Sequence, residues 1–308
     1  MSSIKKHLIF LFSSISLLSC KSINKKDIQQ NKNSDYSNYY RLVSIADSSY
    51  AAGNYNKSFI TLDTLFKRVK PLSTPEYREY DTYIRCKHLL GKKITDLEVK
   101  LLISKYGVGD NILKADPILD MVLKKKENVN SKYKSLRGEY LKSINLPLRE
   151  QLLKAVENDQ YYRVSYDGDD KFEKMKECDA LNEKLLFELF EKGIYPNNSV
   201  VGSRFFNNEF LVVETLFMHT ADSIRINYFL PKIKQFIKKG QCFTPNLYAQ
   251  MVDQFHVYNK EPQIYGSFGT LEVSKEKYAE YNQNRKKASI GLNPIEFDIW
   301  MLGSLYSK

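Results

Sequence analysis

The sequence predicts a mostly α-helical protein, in which a short helical-repeat module is followed by an α-rich domain with one small β-hairpin. Apolar residues recur about every three to four positions through most of the chain after residue 37, as they do on the buried face of a helix. Helix-start signals precede several of these runs, among them Thr74-Pro75, Pro147 and Asn293-Pro294. Residues 263–273 have the best strand character and predict the hairpin.

The first twenty residues have the features of a secretory leader. Lys5-Lys6 supply positive charge, and residues 7–18 form an apolar and serine-rich stretch that is too short to cross a bilayer as a mature helix. The stretch ends in Leu17-Leu18-Ser19-Cys20, which resembles the lipobox of bacterial lipoproteins. The simpler alternative is an ordinary secretory signal that contains a cysteine by chance.

The lipobox resemblance implies that residues 1–19 are a signal peptide and that Cys20 is lipidated. Acyl chains such as palmitate would then anchor the mature chain to membrane lipid, because each buried methylene contributes about 0.8 kcal/mol. The expected location is the cell envelope, on a bacterial membrane and most simply the outer membrane, facing the periplasm or the exterior. Residues 20–37 carry the lipidated cysteine and are rich in Lys, Asn, Gln and Ser, which predicts a flexible tether.

The charge of the chain limits the possible binding partners, and its cysteine content limits the possible disulfides. The chain has 308 residues, with 47 Lys and Arg against 36 Asp and Glu, a formal charge of +11. Its short basic runs are not interleaved with aromatic residues, which argues against a nucleic-acid partner. They either favour anionic lipid headgroups or form ordinary solvated helix faces.

Cys86, Cys178 and Cys242 remain after Cys20 and allow at most one internal disulfide, for which Cys178 with Cys242 is the pair to test.

The first folded domain, residues 38–145, opens with two amphipathic helices that meet at Gly53. This pair resembles the centre of a tetratricopeptide repeat, in which glycine lets the first helix end closely packed and a small residue, here Ser58, lets the second helix approach. A second unit turns at Gly91 but is longer than a regular repeat, so the module is either degenerate or built from unrelated helical hairpins. The helices predicted here span residues 38–53, 54–69, 77–90, 95–106, 115–126 and 132–144.

The second domain, residues 146–308, is predicted to be α-rich. Pro147 lies in the first turn of its first helix, and Pro231 must kink or split a later one, because proline lacks the N–H that a helix interior requires. An apolar run at residues 209–217 is interpreted as buried helix. The predicted helices of this domain span residues 147–162, 173–192, 208–218, 222–239, 244–258, 274–289 and 294–305.

A series of short polar blocks follows in one order across about residues 146–303. The blocks include Asp159-Gln160 with Arg163, His219 with Asp222, Asp253, and Gln263 with Tyr265-Gly266. This series resembles a bacterial family of domains of unknown function, known by its DQ-x-x-R, H-x-x-D, DR and Q-x-YG blocks. Gln254 stands where the family usually has arginine, and Tyr195 where a tryptophan is common. The resemblance implies a set of site residues but no particular activity.

The spacing of these residues allows more than one arrangement. Asp159 and Arg163 share a helix face and can form a salt bridge, on the surface or between domains. His219 and Asp222 either share a face or flank a helix break, and the second arrangement, in which Asp222 caps the next helix, is favoured. If the polar blocks line one cleft, they would bind a peptide or sugar, hold a metal, or perform acid–base hydrolysis with His219 as base. The structural alternative is a buried polar network that fixes helix ends.

The function favoured by the sequence is that of a membrane-anchored envelope lipoprotein acting as a protein- or ligand-binding module. The repeat-like helices would contact a protein or peptide partner, and the ligand-binding candidates are Asp159, Gln160, Arg163, Gln263 and Tyr265. No cofactor or dedicated metal site is predicted, because no nucleophile elbow, HExxH motif, phosphate loop or dinucleotide fingerprint is present.

The alternative function is that of an envelope hydrolase, with or without a metal. Its catalytic residues would be His219, Asp222 and Asp253, since these are the histidine and carboxylates of the polar blocks. Proximity of His219 to Asp253 in an open cleft would favour this alternative.

Overall fold

The computed structural model describes residues 36–75, 77–207, 209–269 and 274–306, with side chains as far as Met301. The predicted signal peptide, Cys20 and the tether up to residue 35 lie outside the described residues. The helices are α1 Ser37–Ala51, α2 Tyr55–Phe66, α3 Glu79–Leu89, α4 Asp96–Ser104, α5 Asp110–Ala115, α6 Pro117–Lys124, α7 Glu127–Asn130, α8 Tyr133–Ser143, α9 Leu146–Gln160, α10 Lys171–Glu191, α11 Asn198–Val201, α12 Glu214–Met218, α13 Asp222–Ile224, α14 Leu230–Lys238, α15 Pro245–Tyr258, α16 Tyr278–Ala288 and α17 Ile295–Tyr306. The mostly α-helical fold class with one small β-hairpin is confirmed.

The position of the hairpin was predicted wrongly. Strand β1, Phe205–Phe206, pairs antiparallel with strand β2, Glu209–Phe210, so the run interpreted as buried helix begins as an exposed strand. Residues 263–269 form a loop with several bends instead, and residues 270–273 lie outside the described part of the chain. Strand and helix could not be separated by periodicity here, because short apolar runs are compatible with both.

The first two helices form the hairpin that the sequence predicts. The Asn54 side chain accepts a hydrogen bond from the N–H of Lys57 and so caps α2. Ser58 is fully buried, as expected of a small residue where helices approach each other. Gly53 has a φ of +75°, but a Cβ atom placed there would meet nothing within 4 Å. Its left-handed backbone conformation, and not close packing, is therefore what requires glycine.

Two predicted caps have other roles in the structure. Helix α3 begins at Glu79, and Thr74 does not cap it. The N–H and the hydroxyl of Thr74 instead donate to the buried Glu79 carboxylate, each at 2.8 Å. Asn293 precedes α17 as predicted, but its side-chain oxygen accepts from the Ser44 hydroxyl at 2.5 Å. Both side chains form hydrogen bonds within a loop or across the fold, and these hydrogen bonds compete with capping of the helix that follows.

Pro231 divides the predicted helix 222–239, as expected. A π-helical segment, Arg225–Phe229, separates α13 from α14, and Pro231 lies in the first turn of α14, where its missing N–H costs little. A second π-helical segment, Tyr161–Ser165, follows α9. Such segments recur at functional sites in proteins, and both lie next to polar blocks of the sequence.

Helix α1 packs into the core of the C-terminal half. The Tyr40 hydroxyl lies 3.0 Å from the carbonyl oxygen of Ile237 and 2.7 Å from that of Cys242. Tyr36, assigned to the tether, is buried, and its N–H donates to the Lys238 carbonyl at 3.1 Å. The division into domains at residue 145 stays a prediction. A separate apolar core lies among α3, α4, α6 and α8.

The three cysteines after Cys20 are all buried and free. The proposed Cys178–Cys242 disulfide is therefore not formed in this structure. Burial raises the pKa of the Cys242 thiol to about 12, which disfavours the reactive thiolate.

Candidate functional site

Asp159, at the end of α9, is the centre of a polar cluster. Its side chain is fully buried and lies 2.8 Å from Nδ1 of His219, 2.8 Å from Nε2 of Gln160 and 3.2 Å from Nε of Arg163. Arg163 also pairs with Asp179 of α10. The structure therefore brings together the first two polar blocks of the sequence, which lie sixty residues apart.

Local backbone geometry positions the members of this cluster. Arg163 lies in the π-helical segment directly after Gln160, and from there its guanidinium reaches both Asp159 and Asp179. His219 is the residue at which α12 ends, which confirms the predicted break. Its ring is about one-quarter exposed, so the cluster connects a buried carboxylate to the surface.

Opposite charges lie next to each other in the cluster and shift one another's pKa values. Burial alone would raise the pKa of Asp159, but hydrogen bonds from His219 and Gln160 and the charge of Arg163 hold it below its usual value. Burial would likewise lower the pKa of Arg163, and the carboxylates of Asp179 and Asp159 raise it instead. Burial, with the nearby Asp159 charge, raises the pKa of the Cys178 thiol, so this cysteine is poorly suited to act as a nucleophile.

Three residues of the cluster could hold a metal ion. One ligand atom each from Asp159, Asp179 and His219 lie within 4.8 Å of one another. Two carboxylates and one imidazole suit divalent cations such as Zn²⁺ or Mn²⁺. However, Arg163 pairs with both carboxylates, so a metal would have to displace its guanidinium.

Asp222 does not lie in this cluster and does not cap α13. Its half-exposed carboxylate pairs with Arg225, whose Nη1 donates to the carbonyls of Met218 and Thr220 at 2.7 and 3.1 Å. The N–H of Ala221 is satisfied by Glu183 at 3.2 Å. The favoured prediction of an Asp222 cap is therefore wrong, because the Asp222 carboxylate pairs with Arg225 and does not accept from a backbone N–H of α13.

Asp253 and the Q-x-YG block form a separate structural unit. The fully buried Asp253 carboxylate accepts from the N–H groups of Ile264, Tyr265 and Ser267 at 2.7–2.9 Å, and from the Ser267 hydroxyl. The Gln263 side-chain amide closes the same loop, because it donates to the Phe268 carbonyl and accepts from the Phe268 N–H. Tyr265 is buried, so Gln263 and Tyr265 do not project together from a strand. The structure thus distributes His219, Asp222 and Asp253 over three sets of contacts.

A cleft of about 580 Å³ forms a second candidate site, which the sequence did not reveal. One wall is formed by α8, the other by strand β1 with the turn residue Asn207, and the floor by the loop before α5 with the first residues of α5. The lining residues are Gly107, Gly109, Asp110, Asn111, Ile112, Tyr133, Lys134, Arg137, Gly138, Leu141, Phe205, Phe206 and Asn207. The cleft therefore lies between residues of the two predicted domains, a common location for ligand sites.

Small residues let the walls and floor approach each other. Gly107 has a φ of +72°, and a Cβ there would lie 2.4 Å from the Tyr140 ring. A Cβ on Gly109 would lie 3.1 Å from the Arg137 guanidinium. Residues 107–109, Gly-Val-Gly, are the signal from which a close approach of chain segments could have been inferred.

Arg149 holds the hairpin wall in place. Its Nη1 donates to the carbonyls of Val201 and Ser203 at 3.1 and 2.8 Å, and its guanidinium lies 5.0 Å from the centre of the Phe206 ring. Phe206 is buried against Tyr140. Arg149 is therefore a positioning residue for this cleft.

No known protein-family model matches this chain, and no match is found among curated proteins or solved structures. The resemblances to lipoproteins, to tetratricopeptide repeats and to the domain-of-unknown-function family stay predictions that rest on the residues quoted for them.

We expect His219→Ala to lower the free energy of unfolding by about 1–3 kcal/mol, because the buried Asp159 carboxylate loses a hydrogen-bond donor. The pKa of Asp159 is lower in the folded chain, so this stabilisation is complete above the unfolded pKa of about 3.9 and disappears as pH falls through the folded value. The difference between parent and variant in urea unfolding should therefore shrink below about pH 4.

His256→Ala is the matched control for this measurement. Its Nδ1 also lies 2.8 Å from a carboxylate, but that partner, Glu261, is half exposed. Its loss should cost less than about 1 kcal/mol. Equal effects of the two substitutions at pH 7 would contradict a stabilising role for the Asp159 cluster.

Proposed function

We propose that the protein is a lipid-anchored bacterial envelope protein that binds a ligand in the cleft between α8 and the β-hairpin without transforming it. The observation that carries this proposal is the lining of the cleft. It combines exposed polar and aromatic side chains with Arg137, which no described carboxylate neutralises. Concave sites with a few convergent polar groups are typical of ligand binding.

The placement of the polar blocks supports binding over hydrolysis. Asp222 and Asp253 have structural partners away from His219, and none of the three lines the cleft. Lipid anchorage is proposed from the residues around Cys20 alone. Among the described residues, no helix has the length and apolar character needed to span a bilayer.

A specific observation keeps an envelope hydrolase as the second candidate function. The ligand atoms of His219, Asp159 and Asp179 are mutually close, so a metal-dependent hydrolase would use these two carboxylates in place of Asp222 and Asp253. Such an enzyme would require the Arg163 guanidinium to leave the carboxylates when the metal binds.

Anchorage is tested by labelling cells that express the full chain with radioactive palmitate. We expect label and membrane fractionation for the parent and neither for Cys20→Ser, because the acylated sulfur is absent from that variant. Palmitate on the Cys20→Ser variant, or none on the parent, would reject the anchor.

Binding is tested with the chain from residue 21 onward, which contains the whole compact unit of residues 35–308. A panel of envelope saccharides and peptides is screened by ligand-observed NMR, and recovered ligands are analysed by mass spectrometry. We expect at least one unchanged ligand whose binding is lost in Gly138→Leu, which fills the cleft. A chemically altered ligand would favour the hydrolase, and binding that survives Gly138→Leu would place the site elsewhere.

A further inference from the structure

The side chains that line the cleft indicate the chemistry of its ligand. The inference drawn from them rests on the proposed binding function. Its charged lining residues are Asp110, Lys134 and Arg137, so the lining has an excess of one positive charge. Among the described residues no carboxylate pairs with Lys134 or Arg137. The lining therefore favours a ligand with a negative group that faces α8.

Arg137 presents the donors for that group. Its guanidinium lies over the Tyr140 ring at 4.9 Å and against the backbone of Gly109. Its one described hydrogen bond is a long one, 3.5 Å from Nη1 to the Val108 carbonyl, so most N–H groups of this cleft-lining side chain have no protein acceptor among the described residues. A planar guanidinium held in this way suits a carboxylate, which it can bind through two parallel hydrogen bonds.

The rest of the lining suits hydroxyl groups. One oxygen of the Asp110 carboxylate accepts from the Tyr133 hydroxyl at 2.7 Å, and its other oxygen remains an acceptor at the cleft. Asn207, exposed at the hairpin turn, offers both a donor and an acceptor. A carboxylate or phosphate placed directly at Asp110 would be repelled, whereas a hydroxyl group there would be bound.

The hairpin provides an apolar platform. Phe205 is 59% exposed, and its ring lies 4.9 Å from that of Phe210, which is also exposed. Gly138, which lines the same cleft, leaves open space, since a Cβ there would meet nothing within 4 Å. Glycine within a helix destabilises it by about 0.5–1 kcal/mol relative to alanine. The open space at Gly138 is therefore present although glycine is unfavourable for the helix.

From these features we propose that the cleft binds an acidic carbohydrate. A sugar carboxylate pairs with Arg137 and Lys134, the hydroxyl groups bond to Asp110 and Asn207, and the C–H face of the ring lies on Phe205. A volume of about 580 Å³ accommodates a short oligosaccharide and not only a single ring.

Isothermal titration of the chain from residue 21 with trigalacturonic acid tests this proposal. We expect binding that weakens about tenfold or more for the fully methyl-esterified trimer, which keeps its shape but loses its charge. Arg137→Gln and Lys134→Gln should weaken binding of the acid and not of the ester. Phe205→Ala should weaken both.

Gly138→Leu and Gly138→Ala form a matched pair of variants. Leucine fills the open space and should abolish binding, whereas alanine should leave it within about threefold of the parent and should not lower the melting temperature. Equal binding of acid and ester, or acid binding that survives Gly138→Leu, would overturn the proposal.

Two further probes separate this proposal from the general binding function. If triglutamate or inorganic phosphate binds in a Gly138→Leu-sensitive manner while trigalacturonic acid does not, the cleft is a ligand site but not one for acidic carbohydrate. If no panel member or probe binds in that manner, both the proposed function and this inference are rejected.

Discussion

Arg149→Met should lower the free energy of unfolding by about 3–5 kcal/mol, because it removes one partner from a buried, charged network. The carbonyls of Val201 and Ser203 would lose their charge-assisted donor inside the fold. The contact of the guanidinium with the Phe206 ring would also disappear. Burial lowers the pKa of Arg149 while Glu209 at 3.5 Å opposes that shift, so the charge is retained in an environment that methionine cannot reproduce. Urea unfolding measures the loss.

Arg68→Met is the control for this substitution. Arg68 is exposed, and its replacement should change the unfolding free energy by less than about 0.5 kcal/mol. The two variants lose the same charge, so the difference between them reports the buried contacts. An effect of Arg149→Met below about 1 kcal/mol would show that the hairpin wall is held by other interactions.

Asp253→Ala is the second substitution with a large expected effect, again about 3–5 kcal/mol of lost stability. Three backbone N–H groups of the loop at residues 264–267 would lose their acceptor, and leaving each buried donor unsatisfied costs about 1–3 kcal/mol. The loop supports the C-terminal helices, because a Cβ on Gly266 would lie 2.8 Å from both Ile295 and Tyr281. Thermal and urea unfolding should both report the loss.

This prediction separates a structural Asp253 from a catalytic one. Asp253→Asn keeps the shape but has one acceptor oxygen, so it should still destabilise the fold by about 2–3 kcal/mol. Asp222→Ala, which removes a half-exposed carboxylate, should cost about 1 kcal/mol or less. If Asp253→Asn were as stable as the parent, the conclusion that the carboxylate holds the loop would be wrong.

Local sequence determined the helical elements because their signals act over a few residues. Asn54 caps α2 through the N–H three positions ahead, and Pro231 divides α13 from α14 because any proline lacks that donor. Asp159 and Arg163 pair as their spacing predicts, since four residues bring side chains onto one helix face. In each case both partners lie within one or two helical turns.

Tertiary structure decided which polar side chains meet when they lie far apart in the chain. The carboxylate at His219 is Asp159, sixty residues earlier on another helix, and not the nearby Asp222, which pairs with Arg225. The cleft joins Gly107, Gly138 and Phe205, none of which is distinctive in isolation. Buried charges take the partners that packing brings within hydrogen-bond reach, because leaving them unpaired costs more than any local preference provides. The sequence by itself therefore determined most of the helical elements, whereas the site geometry depends on contacts between residues far apart in the chain.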